Sequence, residues 1–169
     1  MPDRRIKKFE IGRRQVFNIT YEKDNENTGG CDTLQLKCSE YPRPELIEAV
    51  KRLSPYITEL LELPDYCEDR LIAKKITYTY DKKTAETTVT ITAKFYIPDT
   101  GTFVEVKVPP RVINHGTPTS EIPFTPECSE VIERLTTEIF RYIDGDRAQN
   151  KLDFNATTTE DAAIYKVTS

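Results

Sequence analysis

The sequence predicts an α+β fold. An antiparallel sheet, ordered β-β-β-α-β-β-β-α along the chain, carries two helices on one face and ends in a flexible tail. Three observations predict it. Arg70 to Val108 reads as a meander, because Val89, Ile91, Ala93, Phe95 and Ile97 alternate with Thr88, Thr90, Thr92, Lys94 and Tyr96. That period of two is what a sheet with one buried and one wet face requires. Two further segments repeat apolar residues at helical spacing instead. From Asp146 onward neither period persists, so residues 1–145 read as one domain and 146–169 as a flexible tail.

The elements follow in order. Residues 6–11 and 15–22 form a hairpin turning at Gly12-Arg13-Arg14, and Asp32 to Ser39 is a third strand with Leu34, Leu36 and Cys38 on one face. Pro42-Arg43-Pro44 stops the sheet and opens a helix, since proline suits a first helical turn better than a central strand. Leu46, Ile47, Val50, Leu53, Ile57, Leu60 and Leu61 make its stripe. Pro55 interrupts it, predicting a kink or two consecutive helices with Ser54 capping the second. The meander then runs through Leu71–Tyr80, Thr87–Ile97 and Thr102–Val108, closed by Pro109-Pro110. In the last helix Thr125 is the expected N-cap, Pro126 the first helical residue and Gly145 the C′ residue. Cys128, Val131, Ile132, Leu135, Ile139 and Ile143 form its stripe.

Composition narrows the function classes. The chain has 169 residues, enough for a real core, and no apolar run long enough to span a membrane. The first residues are charged and precede no apolar stretch, so no secretory signal is expected and the cytoplasm of a host bacterial cell is the expected location. Four separated cysteines and one histidine give no zinc spacing, and all four thiols are expected reduced. The formal charge is −4, yet residues 1–23 hold seven basic side chains against three acidic ones. Arg4, Arg5, Lys7, Lys8, Arg13 and Arg14 therefore read as a basic arm suited to nucleic acid. The plainer reading is an edge hairpin whose charges prevent edge-to-edge pairing.

Catalytic groupings are missing from the sequence. His115 has no nucleophile context, Asp144-Gly145-Asp146 fails the glycine and glutamate positions of a calcium loop, and neither phosphate-cradling glycine motif occurs. No enzyme activity, metal or cofactor is expected. Tyr78, Tyr80 and Tyr96 fall on neighbouring strands close to Lys74, Lys75 and Lys94. Exposed sheet aromatics beside lysines suit base stacking, so Lys74, Lys94 and Tyr96 join the arm as candidate nucleic-acid contacts. Alternatively the tyrosines rim the core or a homo-oligomer interface.

Two resemblances bear on partners. Gln149-Asn150-Lys151-Leu152-Asp153-Phe154 resembles the peptide by which bacterial polymerases and repair proteins dock on the sliding clamp, although here one residue separates the leucine from the aromatic. It implies partner contacts through Gln149, Leu152 and Phe154. More widely, Arg43-Pro44-Glu45-Leu46, Leu53-Ser54-Pro55-Tyr56, Leu61-Glu62-Leu63-Pro64 and the run from Pro126 to Gln149 resemble small proteins encoded by bacteriophages and prophages. That implies a mobile-element origin and brings no activity with it. The expectation is a non-enzymatic accessory protein acting around DNA replication or recombination, binding single-stranded DNA or a replication partner such as the host sliding clamp. The alternative is a counter-defence protein that sequesters a nucleotide signal or inhibits a host protein.

Overall fold

The structure is a computed structural model and describes residues 3–119 and 121–148. Its strands are β1 (Arg4–Ile11), β2 (Phe17–Asp24), β3 (Cys31–Cys38), β4 (Leu71–Tyr80), β5 (Thr87–Ile97) and β6 (Thr102–Val112). All are antiparallel in one sheet ordered β3-β2-β1-β4-β5-β6. The helices are α1 (Pro44–Lys51), α2 (Ser54–Leu60) and α3 (Pro126–Ile143), with a 3₁₀ turn over Asp65–Arg70. The fold is α+β, two three-stranded meanders joined along β1 and β4.

Register explains which face is dry. Leu36, Ile19, Phe9, Ile76, Ile91 and Val108 form one row across all six strands. The adjacent row, Lys37, Asn18, Glu10, Lys75, Thr92 and Lys107, points the other way, so a slip of one residue would exchange them. The helices cover the apolar row. Tyr142 packs on Phe17 with ring centroids 5.1 Å apart, and Thr136 shares a 2.7 Å hydrogen bond with Tyr78. Leu46, Ile57, Ile132, Leu135 and Ile139 complete the core.

The segment after Pro42 does become two helices, but Ser54 does not cap the second. Leu53 is already helical in backbone at the junction (φ −76, ψ −23). The Ser54 hydroxyl donates instead to the Leu71 carbonyl at 2.8 Å and ties α2 to β4. In α3 both ends follow the sequence: the Thr125 hydroxyl accepts from the Cys128 N–H at 3.2 Å. Gly145 at φ +94 and Asp146 close the far end by donating to the Tyr142 and Arg141 carbonyls.

Four further expectations need correction. The β1–β2 hairpin is not at an edge, because β1 pairs with β4 and the edges are β3 and β6. Pro109-Pro110 does not end β6, which continues to Val112. Pairing steps from Ile91↔Val108 to Val89↔Arg111, and the prolines sit in that irregularity on an edge strand, where their missing N–H is tolerated. Tyr78 is not exposed. It lies opposite Val89 in the dry face, 3% accessible, with its hydroxyl satisfied by Thr136. Residues 146–148, expected to begin the tail, are tied to the body: Arg147 bridges Pro42 and lies over the Tyr142 ring, and the Ala148 N–H donates to the Tyr41 carbonyl.

Candidate functional site

The basic arm divides into two groups. Arg4 grips the Asp144 carboxylate with two bonds of 2.7 and 3.1 Å and lies over the Phe140 ring. Arg5 bonds Asp24 at 2.7 Å and approaches Glu22 at 3.5 Å. Those contacts hold the Asp24 and Asp144 carboxyls below their ordinary range, each chiefly through its arginine hydrogen bond. Lys7 stands over the Tyr80 ring, and Lys8 reaches 4.0 Å from Glu10. The first four cations are thus engaged internally. Arg13 and Arg14 are exposed in the β1–β2 turn.

The β1–β2 turn and four strands, β1, β4, β5 and β6, build a pocket on the helix-free face. About 420 Å³ in volume, it is lined by Arg13, Arg14, Lys74, Lys75 and Lys94, with Glu10 and Glu105 as its carboxylates. Two features of the backbone gather these side chains. Ala73 pairs with Ala93 and Lys75 with Thr92, which leaves Lys74 as an extra residue in β4. A bulge of this kind turns two successive side chains toward one face, so Lys74 and Lys75 both reach the pocket. The turn after Gly12 places Arg14 and Gln15 in the left-handed region, each at φ 57. Non-glycine residues held there store strain of about 1 kcal/mol or more each.

The pocket is cationic on balance, five basic side chains facing two carboxylates. None of the five cations forms an ion pair within 4 Å among the described residues. Burial, and then the charge of Lys94, pull the Lys74 ammonium below its ordinary pKa. An anion arriving there favours the charged ammonium and so offsets both effects.

Aromatic surface continues from the lysines. Tyr96 lies two residues beyond Lys94, on the same side of β5 by strand alternation. It pairs with Phe103 of β6, their rings 5.2 Å apart and tilted by 52°. Phe103 is 59% accessible and Tyr96 36%. The structure thus brings together Arg13, Arg14, Lys74, Lys94 and Tyr96 and separates them from Arg4, Arg5 and Lys7, while Lys8, opposite Thr77, lies on the open face beside Glu10. Sequence reasoning missed Phe103, Glu105 and the full part of Lys75. Folding the 97–102 hairpin about its turn would have set Phe103 opposite Tyr96. Gln149, Leu152 and Phe154 lie outside the described residues.

A second cleft, about 350 Å³, opens on the helix side between α3 and the sheet and includes Arg4, Arg5, Tyr78, Tyr80 and His115. His115 Nδ1 is 3.4 Å from Glu133 there. Among the described residues no group of three or more His, Cys, Asp or Glu is placed to hold a metal ion, and no helix is long and apolar enough to cross a membrane. Comparison with family models, curated proteins and solved structures returns no match to this chain.

Proposed function

We propose that the helix-free face of the sheet binds single-stranded nucleic acid. In this reading the protein is a non-enzymatic accessory factor of a phage or other mobile element, acting around DNA replication or recombination. The observation that carries it is the convergence of five cations, none in an ion pair among the described residues, beside an exposed aromatic pair. Phosphates would take the Arg13, Arg14, Lys74, Lys75 and Lys94 cluster, and bases would stack on Tyr96 and Phe103. A clamp contact through Gln149, Leu152 and Phe154 would bring the same face to replicating DNA.

The nucleotide-sequestering alternative needs free cations converging with tyrosines. The helix-side cleft has both residue types, but Arg4 and Arg5 already satisfy Asp144 and Asp24, which favours the open face.

Fluorescence anisotropy of a labelled single-stranded oligonucleotide at low and moderate salt tests the proposal. Removing residues 1–14 would withdraw β1 from inside the sheet, so point substitutions serve better. Lys74→Glu with Lys94→Glu is expected to weaken binding at least about tenfold and to flatten the salt dependence by about one unit of slope per lost phosphate contact. Lack of binding at low salt, or binding indifferent to the charge reversals, would remove the nucleic-acid reading.

A further inference from the structure

We infer that β6 is a self-complementary edge through which two copies of this chain pair antiparallel, extending both sheets into one. Among the described residues no strand or backbone hydrogen bond occupies its outer side from Thr102 to Val108. Beyond the prolines, Val112 is already occupied, donating to the Ile122 carbonyl and accepting from the Phe124 N–H. An edge strand presents unpaired N–H and C=O groups and usually carries a device against pairing. On β6 the outward charges are Glu105 and Lys107 on the open face and the outward apolar residues are Val104 and Val106 on the dry face.

These alternate in a way that selects one register. With Val106 opposite Val106 of the second copy, Glu105 faces Lys107 of that copy, and Lys107 faces its Glu105. Val104 meets Val108 on the dry side, while Phe103 meets Pro109 on the open side. A shift of one residue pair in one direction sets Glu105 against Glu105. The same shift in the other direction sets Lys107 against Lys107. Cross-strand opposite charges stabilise and like charges destabilise, so only the first register is electrostatically matched. The same strand exposes apolar side chains, Phe103 on the open face at 59% and Val104 on the dry face at 44%, and Ile122, beside its far end at Val112, is 67% accessible. The edge β3 lacks this, its one large exposed apolar residue being Leu34 at 37%. The twofold axis of such a pair is perpendicular to the sheet, and the two cationic pockets then open on one side. The pairing itself does not depend on what those pockets bind.

Sedimentation equilibrium on the full chain tests it, at concentrations up to about 100 µM because a strand-edge interface is small. The wild type is expected to show a species of twice 19.5 kDa. Glu105→Lys and Lys107→Glu should each raise the dissociation constant about tenfold or more, since each converts two attractive pairs into repulsive ones. The double variant Glu105→Lys/Lys107→Glu should restore the dimer, an effect that misfolding cannot imitate. A monomer at the highest concentration would overturn the inference. So would a dimer unmoved by either single substitution, or a double variant as weak as the singles.

Discussion

Gln15 holds a left-handed backbone without glycine's freedom, in a turn that donates from Gly12 to the Val16 carbonyl at 2.7 Å. Gln15→Gly should therefore stabilise the fold by up to about 1 kcal/mol, checked by denaturant unfolding, while leaving the five cations in place. Lys74 carries the opposite conflict. Its folded-state pKa lies below the unfolded value, so its charge costs stability throughout the pH range below the folded pKa. The cost fades as pH rises from the folded pKa to the unfolded one and is gone above it. Lys74→Gln is accordingly expected to raise Tm at neutral pH and to lower affinity for the oligonucleotide. Opposite signs in the two measurements distinguish a residue kept for binding from one kept for folding.

Among the elements, α3 is the best specified in sequence and the most demanding in structure. Its stripe, cap and C′ glycine were legible because each rests on local chemistry: the Thr125 hydroxyl, the ring of Pro126, the backbone freedom of Gly145. Gly145→Ala would force a side chain into φ +94 and should cost about 1 kcal/mol in urea unfolding. What escaped the sequence was decided by neighbours far along the chain. Ser54 looked like a cap because no local signal says that the Leu71 carbonyl lies 2.8 Å from its hydroxyl. Pro109 and Pro110 looked like a stop because the alternation itself does not mark β6 as an edge with a pairing gap. Tyr78 and Tyr96 differ only in phase along their strands. Reading that phase against the Val89 and Ile91 row separates them.

At the scale of the molecule, strand content and strand direction were legible, and strand order was not. Pairing of β1 with β4 joins residues more than sixty positions apart, and nothing within either strand announces it. The site inherits that difficulty. Its parts were recognisable as basic or aromatic, yet only strand order and the β4 bulge explain why Arg13 and Arg14 belong with Lys74 while Arg4 and Arg5 do not.

The join between β1 and β4 has one more consequence. It rests on three residue pairs, Lys8↔Thr77, Phe9↔Ile76 and Glu10↔Lys75, where β2 and β3 share eight. Each meander can close by short loops, but this seam must await a long-range encounter, with its larger entropic cost. Arg13 and Arg14 stand on one side of it; Lys74, Lys75 and Lys94 stand on the other. The cationic pocket therefore does not exist in either half. It is created by the seam, and a phosphate chain lying across it would act as a strap, holding closed the narrowest join in the sheet.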